Sequence, residues 1–296
     1  MFTAKDVKDL REKTGCGMMD CKKALTEANG DVEKAIEFLR EKGLATAAKK
    51  SGRIAAEGLV DAYVCDGVGS LIEVNSETDF VAKNADFKEF VATLAKIVAD
   101  SNPADVDALK ALKYTGSDLT VEEMLREKIL TIGENLSIRR FARFDSGAVS
   151  YIHGGGRIGV LVKVEADLNN DDAHEAARDV AMQIAAINPL YLSKDTVPAE
   201  DVEKEKTVII AQIKEDPKNA SKPDNIIEKM VGGKINKFYE QNCLLQQEFV
   251  KNGDFKVEAY LASKGVKLVD YIRFEKGEGL EKREDNFADE VASMIK

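Results

Sequence analysis

One internal repeat constrains the fold more than any other feature of this sequence. "GLVDAYVCDGVGSLIEVNSETDF", from Gly58, parallels "GAVSYIHGGGRIGVLVKVEADLN", from Gly147. Each stretch reads as a strand, a glycine-containing turn and a second, apolar strand. A helical run follows each, "DFKEFVATLAKIVADSNP" from Asp86 and "DAHEAARDVAMQIAAINP" from Asp172. Both runs stop at Asn-Pro, at Asn102-Pro103 and Asn188-Pro189, because proline disfavours helix in the residue before it. A third strand closes each copy, Leu136 to Phe144 in the first and Leu268 to Glu275 in the second. The expected fold class is α+β, with a duplicated core of two three-stranded antiparallel sheets, each carrying helices on one face.

The rest of the chain falls into blocks around that core. Residues 1–54 read as three short helices. Thr3 is the candidate N-cap of the first, Val7 and Leu10 share a face, and Gly15 or Gly17 ends it. The second covers roughly Met19 to Ala28 and stops at "NGD". The third, Val32 to Lys42, carries Ala35, Ile36 and Leu39 at helical spacing. The pattern "TGCGMMDCKKALTEANGDVEKAIEFL" resembles the small ubiquitin-associated (UBA-like) three-helix fold. "AAKKSGRIAAEG" then reads as a linker. The first core subdomain is expected over 55–140, and the second over 141–192 and 248–276. Between the two pieces of the second, 193–247 is expected to insert an antiparallel helical hairpin, or coiled coil. One helix would carry Val202, Val208, Ile209 and Ile213, and the other Ile226, Ile227, Met230, Val231, Ile235 and Phe238. "EDPKNASKPDN" supplies the turn. A C-terminal module, 277–296, is expected to include a helix from Asn286 to Ile295.

Composition narrows the function. The length of 296 residues suits about two domains. Acids outnumber bases 53 to 43, for a net charge of −10, which argues against direct nucleic-acid binding through a basic face. No apolar run approaches a membrane span, and "MFTAKDVKDLREKTG" shows no signal-peptide pattern. The four cysteines, Cys16, Cys21, Cys65 and Cys243, form no CxxC pair, and there are only two histidines. These counts argue against a disulfide scaffold or structural zinc site. The expectation is a reduced cytoplasmic protein without metal or cofactor.

Three segments hold the chemistry that remains. "HGGGRIG" (His153 to Gly159) is glycine-rich, but phosphate-cradling loops lead into a helix, whereas an apolar strand, Ile158 to Val164, follows here. A hairpin turn is the leading reading, with a partner-facing loop as the alternative. No nucleophile motif accompanies His153, and Walker A and HExxH patterns are absent. In "GMMDCKK", adjacent methionines cannot share a helix face. Core packing and a flexible apolar contact for a partner both stand, and nearby Arg11, Lys22 and Lys23 are solvated charges or interface anchors. "SETDFVAKNADF" (76–87) lies at a strand-to-helix junction, where chains hold residues towards partners. Locally, Thr78 or Asp79 would cap a helix while Phe80 and Val81 pack inwards. The corresponding "EADLNND" of the other repeat has no phenylalanine, which hints at an additional task for the first copy.

These segments together, with "IGENLSIRR", "HGGGRIGVLV" and "IRFEKGEGLEK", closely resemble the bacterial translation elongation factor Ts family over nearly the whole chain. The resemblance implies a guanine-nucleotide exchange factor that performs no covalent catalysis. Its partner would be elongation factor Tu, GDP-bound and nucleotide-free. Thr78, Asp79, Phe80 and Val81 would intrude on that GTPase and dislodge Mg²⁺, with Phe80 wedged between helices. Arg11, Met18, Met19, Lys23, Ile132, Gly133 and His153 would contact it, and the hairpin would be a site of self-association in some members. Two other classes compete. An adaptor built on the three-helix unit has no need of the TDFV segment, and an enzyme built on the HGGGR loop would turn over a small molecule without a protein partner.

Overall fold

The structure, a computed structural model, describes residues 2–216 and 222–281. The chain opens with α1 (Ala4–Thr14), α2 (Met18–Glu27) and α3 (Val32–Lys50). Thr3 and Asp6 cap α1 reciprocally: the Thr3 side chain accepts the Asp6 N–H and the Asp6 carboxylate accepts the Thr3 N–H. "NGD" ends α2 through Asn29 and Gly30, both at positive φ, and Asp31 then caps α3 by accepting the Glu33 and Lys34 N–H groups. Val7, Leu10, Cys21, Leu25, Ala35 and Leu39 close a small core.

Helix α3 does not stop at Lys42. It continues through "GLATAAKK", half of which reads from sequence as linker, because alanine and lysine are strong helix formers. Small residues on one side also let it approach a later helix. A Cβ at Gly43 would sit 3.7 Å from the Arg126 carbonyl oxygen, and Ala47 packs on the core of the first repeat.

That repeat comprises β1 (Glu57–Cys65), β2 (Val68–Ser76), α4 (Asp79–Lys83), α5 (Ala85–Ser101), α6 (Val106–Ala111), α7 (Val121–Ile132) and β3 (Ser137–Phe144). The second begins with β4 (Ala148–His153), β5 (Ile158–Glu165) and α8 (Asp171–Ile187). After the inserted helices α9 (Ala199–Glu215) and α10 (Asp224–Asn242) come the short strands β6 (Glu248–Phe249) and β7 (Asn252–Lys256). Helix α11 (Val257–Ser263) and strand β8 (Lys267–Glu275) complete it. The main sheets run β1-β2-β3 and β4-β5-β8, antiparallel throughout. The copies agree in detail. Both central strands have a register irregularity at the matching place, Glu73/Val74 and Lys163/Val164. Helices α5 and α8 are capped by Asn84 and Asn170 and end at Asn102 and Asn188 in the left-handed region, φ 46° and 51°, which asparagine tolerates. "HGGGRIG" is a hairpin turn between β4 and β5. Strand β3 extends past residue 140, pairing Phe144 with Gly69.

The two sheets stack face to face with helices outside. Val60, Leu71, Ala148, Leu161 and Phe274 fill the space between them, while Ile72 and Val74 face α5 and Val160 and Val162 face α8. Strand β2 is therefore covered on both sides. Glycines at equivalent positions set the sheet separation. A Cβ at Gly159 would lie 2.5 Å from Val60 Cγ1, and one at Gly69 would lie 2.5 Å from Ala148 Cβ.

The insertion is a helical hairpin. Ile209, Ile213, Val231 and Ile235 seal α9 against α10. Tyr191 ties the ends where the insertion joins the second repeat: its hydroxyl donates to Asp201 of α9 (3.1 Å) and its N–H to the Asn242 carbonyl oxygen (3.1 Å), so the helices are antiparallel. Val208 and Ile226, counted in the apolar pattern, are exposed instead. Part of the intervening turn and the helix expected from Asn286 to Ile295 lie outside the described residues.

Candidate functional site

Where β2 ends, the repeats diverge. The first copy takes a longer path from its central strand to the asparagine that caps the next helix, and the extra residues form the single turn α4. Val81 is 7% exposed and belongs to the core beneath, whereas Phe80 is 77% exposed. Adjacent residues on a helical turn point apart, so seating Val81 turns Phe80 outward. The local reading thus fails for Phe80. It fails for the cap too, since the Thr78 side chain makes no capping bond. Its hydroxyl instead donates to Glu134 Oε1 (2.6 Å) and its N–H to Glu134 Oε2 (3.0 Å). One residue earlier, Glu77 Oε1 accepts the Asn135 N–H at 2.6 Å. Asp79 pairs with Lys83 at 2.6 Å, and that hydrogen bond holds its carboxyl below the usual carboxylate range. The Lys83 ammonium also lies 5.8 Å from the centre of the Phe80 ring.

The end of α7 is the common neighbour of several candidate residues. Ile132 is its last residue and Gly133 its left-handed cap, φ 84°. Glu134 and Asn135, next in the chain, hold the Thr78 segment. On the other side, Lys50 of α3 donates to the Gly133 carbonyl oxygen. A Cβ at Gly15, in the loop before α2, would come within 3.7 Å of Thr131 Cγ2. That loop leads into Met18 and Met19, which are 43% and 72% exposed; core packing holds for neither. Helix α2 turns Cys21, Ala24 and Leu25 inward instead. Arg11 and Lys23 are exposed as well.

His153 stands apart. It ends β4, exposed, with Nδ1 3.0 Å from the Tyr151 hydroxyl. With Tyr151, Met182, Phe249, Val250 and Lys251 it lines a cavity of about 410 Å³ on the second repeat. The turn after it docks on the first sheet: the Gly156 carbonyl oxygen accepts the Val60 N–H at 2.8 Å. Gly156 sits at φ 96°, and a Cβ there would come 2.8 Å from Leu59 Cβ.

Sequence reasoning missed Glu134 and Glu77, whose partners are 56 and 58 residues away, and it missed Glu73. Glu73 is fully buried between the sheets. Its carboxylate accepts Arg139 (2.9 Å), Arg140 (2.6 Å), the Gly277 N–H (2.8 Å) and Asn75 (3.1 Å). Burial alone would raise its pKa, but the Gly277 amide and the two guanidinium groups outweigh it and hold the carboxyl below its ordinary range. Arg140 also stacks over Phe274 of the other sheet, 4.3 Å from its centre. The available signal was a single acid inside "LIEV", matched by an Arg-Arg pair in a partner strand. Among the described residues no group of His, Cys, Asp and Glu is placed to hold a metal ion, and no helix is long and apolar enough to cross a membrane.

The family model described as Elongation factor TS matches residues 77–278, from Glu77, just after β2, to the turn after β8. The chain belongs to the elongation factor Ts family. Elongation factor Ts of Clostridium kluyveri is 54% identical, covering 100% of this chain and 99% of its own. Elongation factor Ts of Clostridium perfringens (strain SM101 / Type A) is 53% identical, with 99% of both chains covered. Elongation factor Ts of Clostridium botulinum (strain Eklund 17B / Type B) is 50% identical, covering 100% and 99%. Membership of the elongation factor Ts family gives the chain its general role, in translation elongation.

Proposed function

We propose that the chain is the guanine-nucleotide exchange factor for elongation factor Tu, acting in the cytoplasm without covalent catalysis. It binds the GDP complex, disturbs Mg²⁺ and phosphate binding, and holds the empty GTPase until GTP enters. The observation that carries this reading is Phe80: a large aromatic ring held in solvent, on a helical turn between central strand and capped helix that the second repeat lacks. Mg²⁺ screens the charge between protein oxygens and nucleotide phosphates, and a ring driven between the helices that organise its site removes that support.

Magnitudes require more than the ring. A roughly 10⁴-fold acceleration of release means about 5.5 kcal/mol off the barrier, whereas burying one phenylalanine supplies about 1.5–3 kcal/mol. The rest has to come from a wide interface. Met18 and Met19 with Arg11 and Lys23, the Ile132–Gly133 corner, and the His153 face are the proposed contributors. Coupling is reciprocal, so incoming GTP weakens binding of the factor as much as the factor weakens binding of nucleotide, and the cycle turns over. The test is to mix the chain with elongation factor Tu carrying fluorescent GDP and follow release in a stopped-flow instrument. Release at the intrinsic rate, with the chain in excess, overturns the proposal.

A further inference from the structure

We propose that Glu134 is the positioning residue of the Phe80 turn, acting through Thr78 without itself touching the nucleotide site; the inference rests on the exchange-factor reading above. Helix α4 has only five residues, too few to hold its own shape in water. The residue at its N-cap, Thr78, makes no side-chain cap. The turn is fixed from its surroundings instead, and the Ser76 hydroxyl donates to the Thr78 carbonyl oxygen at 2.9 Å. Val81 is sunk into the core below, and Thr78 is gripped from the side. The grip is a reciprocal exchange between two chain segments: the Glu134 carboxylate takes both the N–H and the O–H of Thr78, and the Glu77 carboxylate takes the N–H of Asn135.

The anchor is itself well fixed. Asn135 is buried and donates from Nδ2 to the Arg53 carbonyl oxygen at 2.8 Å. Lys50 donates to the Gly133 carbonyl oxygen, and Arg53 pairs with Glu77 at 3.4 Å. The same short loop thus meets the end of α3, which carries the three-helix unit, and the root of the Phe80 turn. A ring that pries must not rotate about its own root. Val81 and Ser76 hold the turn only to its own core and strand, and Glu134 supplies the point from a distant segment that removes the rotation.

The test uses the full chain and the variants Glu134→Ala, Glu134→Gln and Thr78→Val, with two readouts. Hydrogen exchange by mass spectrometry on the free protein reports the turn directly. Stopped-flow release of GDP from elongation factor Tu separates the limiting rate from the half-saturating concentration. Glu134→Ala is expected to speed amide exchange in the 77–83 segment and to lower the limiting release rate, each about tenfold, the change that about 1.4 kcal/mol makes. The half-saturating concentration should move less than about twofold on the same scale. Glu134→Gln restores most of both, because its carbonyl oxygen accepts the Thr78 N–H and its amide donates to the Thr78 hydroxyl. If Glu134→Ala also lowers the melting temperature, Thr78→Val decides, since it deletes one bond of the grip and leaves Glu134 in place; it should give the same pattern at reduced size. Wild-type protection of the turn in Glu134→Ala, or a loss confined to the half-saturating concentration, overturns the inference. If the wild-type chain releases no GDP, the exchange-factor reading falls, while the hydrogen-exchange comparison still decides the grip.

Discussion

Replacing Phe80 by alanine separates the wedge from the rest of the interface. In the free chain the ring is 77% exposed, so its removal opens no cavity and should change folding stability by less than about 0.5 kcal/mol. In the proposed complex, the exposed share of the ring is what would become buried. Scaling the usual value for a buried phenylalanine gives about 1–2 kcal/mol, a factor of about 5–30 in rate if it is expressed only in the transition state for release. Stopped-flow release of fluorescent GDP should therefore show a limiting rate lowered by that factor, with calorimetry showing a smaller change in affinity for nucleotide-free elongation factor Tu. Val81→Ala is the internal control with the opposite signature, because it creates a cavity and lowers the unfolding midpoint. An unchanged limiting rate in Phe80→Ala, with the chain saturating, would refute the wedge and leave α4 a structural turn.

Met18→Glu and Met19→Glu should weaken binding to elongation factor Tu about tenfold or more without shifting the melting temperature, since both side chains are exposed; unaltered calorimetric affinity returns them to the inert surface. Glu73 should give a pH-dependent contribution to stability. Its folded pKa is lowered, so the contribution is fully present above its unfolded value of about 4.3 and is lost as the pH falls through the folded value. Glu73→Gln should therefore be less stable than the wild type by about 3–5 kcal/mol at pH 7. Urea unfolding should show the gap narrowing as pH drops below about 4.3, and a gap constant down to pH 3 would contradict the assignment. Gly159→Ala should destabilise by about 1–3 kcal/mol, because the new Cβ would stand 2.5 Å from Val60 Cγ1 and 2.7 Å from Leu71 Cδ1 across the sheet interface; a wild-type denaturation midpoint would show that the sheets separate freely.

What could be read in the sequence was local or repetitive. The duplicated strand-turn-strand pattern shows the two sheets, the Asn-Pro pairs locate the ends of α5 and α8, and "NGD" locates a turn. What could not be read depended on partners distant in the chain. "GLATAAKK" has the composition of a linker or a helix, and only the surface of α7 makes it helix. Nothing in a single strand says that two sheets will stack, although β2, apolar at neighbouring positions, carried the trace of burial on both faces. The adjacent methionines were ambiguous because either face of α2 could have been the inner one. Thr78 looked like a cap because threonine before an acidic turn usually is one. Its true partner, Glu134, sits 56 residues on, in "IGENLSIRR".

The divergence of the two repeats bears on where the proposed wedge would work. Both central strands, β2 and β5, are paired on each side, and at their matching irregularities one carries Glu73 and the other Lys163. Lys163 pairs with Asp145 at the surface, at 2.9 Å. Glu73 is buried and gathers Arg139, Arg140 and the turn after β8, whereas Lys163 reaches across to the end of β3 through part-exposed contacts with Asp145 and the Phe144 ring, so the tie at the end of β2 is the buried one. Close-packed interiors transmit strain. Force applied to Phe80 would therefore pass through Val81 into the core beneath and through Thr78 and Glu134 into the loop between α7 and β3. The same ring at the end of β5, in the polar "DLNND" loop, would swing with its loop when pressed. On the proposed reading, a ring seated at the end of β2 would press on the GTPase from a braced root, which is the condition for a wedge to displace what it enters.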